Sequence, residues 1–148
     1  MKSKARAVVI GGGVVGVSTL YHLAAKGWDD SILLERKSLT SGSTWHAAGL
    51  LPLFNMSYSV GQIHKYSVRF YQELQDETGM DVGFRKVSNI RLASTQDRMD
   101  EYLQYKGVAD TIGVEVNVLS PQEIKDCWPL VSTENLIGAI QHPEDGYI

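Results

Sequence analysis

The chain has 148 residues, 43% hydrophobic and 21% charged, with 14 basic against 17 acidic side chains and a formal net charge of −3. That length suits one domain, and the composition excludes an intrinsically disordered polypeptide. No basic stripe points to nucleic acid, no apolar run is long enough to span a membrane, and a single cysteine, Cys127, excludes an internal disulfide framework or a cysteine-built metal cluster.

Met-Lys-Ser-Lys-Ala-Arg runs straight into the first apolar segment. A signal or transit peptide has no room there, so the cytoplasm is the expected compartment. Residues 7–10 form a short strand of mostly β-branched side chains, the kind buried in parallel sheets. The strand enters Gly11-x-Gly13-x-x-Gly16. Gly11 permits the tight turn, Gly13 leaves the backbone open to a pyrophosphate, and Gly16 lets the next helix pack closely on the strand. The N–H groups of Gly13, Val14 and Val15 begin that helix, where the dipole favours an anion. Val17, Leu20, Leu23 and Ala24 recur at helical spacing, and Gly27 stops the helix. Residues 31–35 are the second strand. Glu35 follows Gly16 by 19 residues, near the roughly 20 expected of a carboxylate that accepts ribose hydroxyls. A Gly-rich fingerprint alone can be an ordinary turn. With strand, helix, second strand and acid all in place, it is a dinucleotide grip of the kind that serves both NAD and FAD.

Residues 38–49 are a loop of small and polar residues, where an NAD domain would proceed to another βα unit. This departure favours FAD, whose ring system needs backbone wrapped around it. Residues 61–78 are an amphipathic helix with Ile63, Tyr66, Phe70, Tyr71 and Leu74 as its apolar face, expected to be core, and Gly79 as its stop. Residues 84–93 read as two strands broken near Ser88 and Asn89, a hairpin. Ser94 or Thr95 starts a second helix with Met99, Tyr102, Leu103, Ala109 and Ile112 inward, ended by Gly113. Residues 114–119 alternate as a strand. Ser120-Pro-Gln-Glu123 is a capping box with proline at the first helical position, and the short helix it opens stops before Pro129. Cys127, beside Trp128, is expected to pack as a small hydrophobe. Residues 136–141 are a last strand, and 142–148 a loop. The expected class is α/β: residues 1–55 are the first βαβ unit and flavin loop of a Rossmann-like FAD-binding domain, and residues 56–148 begin an α+β substrate-binding domain. A doubly wound sheet needs more parallel strands than the two seen, so an N-terminal piece of a longer polypeptide is expected, weak in FAD binding and poorly soluble when isolated.

Within the loop, Ser43 and Thr44 can donate hydroxyl hydrogen bonds to phosphate. From its own chemistry His46 reads as a loop histidine bonded to phosphate or backbone. His22 and His64, on predicted helices, read as surface or satisfied residues, and His142 as a loop residue able to approach a substrate.

The segments V-V-I-G-G-G-V-V-G, L-L-E-R and S-G-S-T-W-H-A-A-G-L together resemble the dimethylglycine dehydrogenase and sarcosine dehydrogenase family, amine-oxidising flavoproteins of the D-amino-acid-oxidase fold group. The resemblance continues through G-F-R-K-V-S-N-I-R-L-A-S-T and H-P-E-D-G-Y-I, covering essentially the whole chain, and W-H-A-A-G-L is its specific part. It implies an FAD site made by Gly11, Gly13, Val14, Val15, Gly16, Glu35 and Arg36, continued by Gly42, Ser43, Thr44, Trp45, His46, Ala47, Ala48, Gly49 and Leu50. It further implies that His46 is joined covalently to the 8α-methyl carbon of the flavin, a role that suits a neutral, nucleophilic imidazole.

The implied activity is oxidative demethylation of dimethylglycine or sarcosine through an iminium, yielding formaldehyde or a one-carbon unit for tetrahydrofolate bound in a region C-terminal to this chain. The implied electron acceptor is an electron-transfer flavoprotein or oxygen. Substrate-contacting and catalytic residues are expected beyond Ile148. Two alternatives stay open: a regulatory protein on the same scaffold, like the regulatory subunit of pyruvate dehydrogenase phosphatase, and an amino-acid oxidase with non-covalent FAD.

Overall fold

A computed structural model describes residues 4–148, in two compact units, Met1–Ala48 and Gly49–Ile148. The first unit is a βαβ motif. Strand β1 (Ala7–Ile10) and strand β2 (Ser31–Leu34) pair in parallel, from Ala7 opposite Ser31 to Ile10 opposite Leu34. The Gly11 N–H extends this ladder to the Leu34 carbonyl at 2.8 Å. Helix α1 (Val14–Ala25) connects the strands. Its end is a Schellman motif: the Gly27 N–H donates to Ala24 O at 2.8 Å and the Trp28 N–H to Leu23 O at 2.9 Å, with Gly27 at φ +78°. The predicted stop at Gly27 therefore holds. A short 3-10 turn spans Ser43–His46.

The second unit begins with β3 (Leu50–Leu51) and continues through α2 (Tyr58–Thr78), β4 (Arg85–Lys86), β5 (Asn89–Ala93), α3 (Gln96–Ile112), β6 (Asn117–Leu119), α4 (Pro121–Cys127), β7 (Gly138–His142) and β8 (Gly146–Tyr147). It contains two three-stranded antiparallel sheets, β3-β8-β4 and β5-β7-β6. The expected hairpin over residues 84–93 is absent. Ser88, at φ +69°, turns the chain from one sheet to the other, so β4 pairs with β8 and β5 with β7. The terminal residues 142–148 are likewise more than a loop: Gly146 and Tyr147 form the central strand of β3-β8-β4. The partners of β4 and β5 lie at least 45 residues away, beyond the reach of local turn signals.

The main core gathers Leu53, Val68, Met99, Tyr102, Tyr105, Ala109, Ile112, Val114, Val116 and Ile140, and a smaller one joins Leu119, Ile124 and Ala139. Helix α3 is capped as expected, Thr95 Oγ1 accepting from the Arg98 N–H at 3.3 Å. It buries Tyr105, which the periodic reading omitted, and leaves the predicted core residue Leu103 49% exposed. Helix α2 departs further. Its buried residues are Gly61 and Val68, while Ile63 and Tyr66 are 63% and 44% exposed. Gly61 explains the choice of face: a Cβ there would overlap Ile112 Cδ1, so the glycine admits α3 at a distance that no aromatic face allows. Tyr66 and Phe70 stack on one another instead, with ring centroids 6.1 Å apart.

The capping box of α4 forms, with the Ser120 N–H donating to Glu123 Oε2 at 2.8 Å and the Glu123 N–H to Ser120 Oγ at 3.3 Å. Cys127 is exposed rather than packed, because α4 buries only Ile124. Among the described residues no helix is long and apolar enough to cross a membrane.

Candidate cofactor site

The first unit holds a cavity of about 730 Å³ at the turn between β1 and α1. This lies within the range of several hundred Å³ usual for ligand sites. Gly11 adopts φ +108°, a backbone region that side chains disfavour. A Cβ at Gly16 would run into the Gly11 carbonyl, so the helix can rest on the turn only with glycine there. Gly12, which G-x-G-x-x-G leaves unspecified, is crowded less severely: a Cβ would sit 2.6 Å from Leu39 Cδ2, the movable end of an exposed side chain, and 3.0 Å from Glu35 Cβ. The signal for it was the run of three glycines.

Glu35 ties the end of β2 to this turn. Its Oε2 accepts the Gly12 N–H at 2.7 Å and its Oε1 the Lys37 N–H at 2.8 Å. The Gly12 bond first, then the Lys37 bond, hold the carboxyl below the usual carboxylate range. Each oxygen of an ionised carboxylate can accept more than one hydrogen bond, so hydroxyl donors can still be received.

The loop 38–49 folds back on the turn. The Thr40 N–H donates to Gly12 O at 2.9 Å, and Thr44 Oγ1 accepts the Val14 N–H at 2.9 Å. Gly13 is the N-cap of α1 and has no side chain to cap with, so Thr44 supplies the missing acceptor from thirty residues away. A Cβ at Gly13 would stand 3.0 Å from this hydroxyl oxygen. Sequence reasoning placed Thr44 as a donor to phosphate; its hydroxyl proton remains for that purpose, since only the oxygen serves Val14.

Of the predicted site residues, the structure brings Gly11, Gly13, Val14, Val15, Gly16, Glu35, Arg36, Gly42, Ser43, Thr44 and Ala47 to the cavity wall. Thr19, Lys37 and Ser41 join them without having been predicted. Trp45, His46 and Ala48 do not line it, although they belong to the same unit; Gly49 and Leu50 fall in the second unit. His46 is exposed at the end of the 3-10 turn, its ring 4.1 Å from that of Trp45. Its Nδ1 lies 3.1 Å from the Gly42 carbonyl. A carbonyl only accepts, so Nδ1 carries the proton and a neutral ring keeps its lone pair on Nε2.

Of the other histidines, His22 is satisfied, as one of its two readings expected, while His64 and His142 differ from theirs. His22 bonds through Nδ1 to the Ser18 carbonyl at 2.7 Å, whereas His64 Nδ1 is buried without a partner. His142 is 0% exposed and cannot approach a substrate.

A parallel βαβ motif with a glycine cradle and an acidic residue closing on it defines a dinucleotide-binding oxidoreductase scaffold. The chain belongs to the FAD-dependent oxidoreductase family of the D-amino-acid-oxidase type, whose model matches residues 6–148. It is 41% identical to rat dimethylglycine dehydrogenase over 147 residues, which are 99% of this chain and 17% of that protein. It is 42% identical to human sarcosine dehydrogenase over the same share of this chain and 16% of that protein. The chain thus spans about one-sixth of these relatives. The structure of L-proline dehydrogenase from P. horikoshii superposes with a TM-score of 0.89 at 25% identity, covering 99% of this chain and 38% of that one. The family resemblance and the Rossmann-like α/β class both hold.

Proposed function

We propose that this chain grips FAD in an enzyme that oxidatively demethylates an N-methylated glycine, dimethylglycine or sarcosine, through an iminium. The single observation that carries the reading is the loop 38–49 folded onto the phosphate turn, bonded at Thr40 to Gly12 and at Thr44 to Val14. Support also comes from the names of the relatives, which are dehydrogenases of those two amines.

The fit of the residues to FAD rests on the glycine cradle. The α1 N-terminus, with the N–H groups of Gly13 and Val15, would hold the pyrophosphate, the Val14 N–H being taken by Thr44. Glu35, kept ionised by Gly12 and Lys37, would accept the ribose hydroxyls. Ser43 and Thr44 would add hydroxyl donors. When bound, the flavin supplies the two-electron redox chemistry; the protein binds, orients and tunes it. His46 is our candidate for the covalent attachment, because the Gly42 carbonyl holds Nδ1–H and leaves Nε2 as the nucleophilic nitrogen.

We read residues 1–55 as the flavin-holding part and residues 56–148 as the start of a substrate-binding domain. The acceptor we expect is an electron-transfer flavoprotein or oxygen, with tetrahydrofolate taking the one-carbon unit at a more C-terminal region. The sequence reading favours the cytoplasm, whereas the rat and human relatives are named as mitochondrial; cell fractionation decides between them.

The test is to denature the full-length protein with acid and look for flavin fluorescence on the protein band. Fluorescence that stays with the band is expected, and fluorescence that washes away removes the His46 attachment. Anaerobic dimethylglycine or sarcosine should then bleach the flavin. No bleaching with either amine sinks the substrate assignment.

A further inference from the structure

Leu53 is a buried loop residue, 3% exposed, and both its backbone polar groups are held by side chains distant in sequence. Its N–H donates to Asp145 Oδ1 at 2.9 Å, and its carbonyl accepts from the Tyr105 hydroxyl at 3.2 Å. A phenol has one proton. With that proton on the Leu53 carbonyl, the 2.9 Å contact between the Tyr105 oxygen and His142 Nε2 must be donated by the ring N–H. His142 is then protonated at Nε2, and its Nδ1 is a bare lone pair buried without a partner. Asp145 is fixed in turn: its carbonyl accepts the Val87 and Ser88 N–H groups at 3.1 and 2.9 Å.

Buried backbone groups outside a ladder need some partner. Here two anchors converge on one residue, and Asp145 Oδ2 as well as His142 Nδ1 remains unpartnered, an arrangement that costs free energy. The preceding residues indicate what the arrangement serves. Leu50 and Leu51 pair with Tyr147 and Gly146, and the Ile148 N–H donates to Gly49 O at 2.9 Å. Gly49 stands three residues after His46. Leu53 is therefore the downstream anchor of the segment that continues directly from the proposed tether.

We propose that Asp145 and Tyr105, with His142 orienting the phenol, are positioning residues that clamp Leu53 and order the chain leaving the flavin loop. The functional consequence rests on the reading of His46 as the tether; the clamp itself is a property of the second unit.

The test uses the full-length protein with Asp145→Ala, Asp145→Asn and Tyr105→Phe. Ile124→Ala, in the separate small core, is the destabilised control. Two quantities are read per folded molecule: flavin retained on the acid-denatured band, and amide hydrogen exchange of residues 49–54. Asp145→Ala and Tyr105→Phe should each lower retained flavin at least about fivefold and speed exchange at Leu53, because each leaves a buried group unsatisfied. Asp145→Asn keeps an oxygen for the Leu53 N–H and should stay within about twofold of wild type. Ile124→Ala should lower the melting temperature and leave both readouts in place. Wild-type exchange at Leu53 in Asp145→Ala overturns the clamp, as does an equal loss of both readouts in Ile124→Ala. Faster exchange in Asp145→Ala with flavin fully retained overturns the positioning role. If wild type itself carries no attached flavin, the His46 reading fails, and exchange at Leu53 then decides the clamp separately.

Discussion

Thr44 does for α1 what Gly13 cannot. A helix that opens on glycine, so that a phosphate can reach its backbone, forfeits the side-chain cap that usually satisfies its first N–H groups. Thr44 restores one of those bonds from the loop, and the same contact brings the loop to the turn. Glu35 works similarly, its two oxygens receiving the N–H groups of Gly12 and Lys37. These residues act at short range, which makes the glycines between them intolerant. Gly16→Ala would drive a methyl group into the Gly11 carbonyl and lift α1 off the turn. Overpacking of this kind costs about 1–3 kcal/mol, so flavin affinity should fall by about fivefold or more. Titration of the full-length variant with FAD checks this, and wild-type affinity would show that the turn is not the grip.

At the scale of elements, periodicity located α1, α2 and α3 and gave most of the buried face of α3, with Met99, Tyr102, Ala109 and Ile112, but missed that of α2. Helix α2 carries aromatic residues at helical spacing, and these read as core. The structure turns Gly61 and Val68 inward instead, because the close crossing with Ile112 needs a missing side chain more than it needs a large one. Gly61→Val should therefore destabilise by about 1–3 kcal/mol through overpacking against Ile112. Ile63→Gln, on the exposed side, should change stability by no more than about 0.5 kcal/mol. Denaturant unfolding of both variants separates the two faces, and the reverse order would restore the aromatic stripe to the core. Strand pairing escaped the sequence for a related reason. The turn at Ser88 looked like the tip of a hairpin, yet it passes the chain between two sheets whose partner strands come from residues 138–147. The caps at Thr95 and Ser120 were readable because each involves residues three positions apart.

For the molecule as a whole, the buried pair His142 and Asp145 makes stability depend on pH in two opposed ways. Burial first, and then the Arg91 charge, push His142 down to about 4. Burial pushes Asp145 up to about 6, opposed by its Leu53 hydrogen bond and by Arg91. Tyr105, which touches the His142 ring, is pushed up to about 12 by burial and stays neutral in this range. Between pH of about 4 and 6.5 the unfolded chain protonates its histidine while the folded chain does not, so this contribution is lost on acidification. Between about 3.8 and 6 the folded chain holds a proton on Asp145 that the unfolded chain has released, so that contribution is lost as pH rises. The two slopes offset where the windows overlap. Asp145→Asn should leave the first slope alone and lose stability on acidification through this range. His142→Gln should leave the second and lose stability as pH rises. Urea unfolding at pH 4, 5 and 6 reads both, and parallel profiles for the two variants would refute the assignment.

The grip on the dinucleotide was in the residues from the start. A strand, three spaced glycines, a helix and an acid about twenty positions later act through contacts between near neighbours. The W-H-A-A-G-L segment added the family. Folding in three dimensions settled which side of α2 meets the core, that Gly12 faces Leu39 and Glu35, and that Thr44 caps α1. It also buried His142 and Asp145, read as members of a terminal loop, and set Asp145 to accept the N–H of Leu53, 92 residues away in the chain. Those outcomes depend on which surfaces meet. Burial and long-range hydrogen bonds are set by the packing of segments far apart in sequence, and no local pattern of residues encodes that meeting.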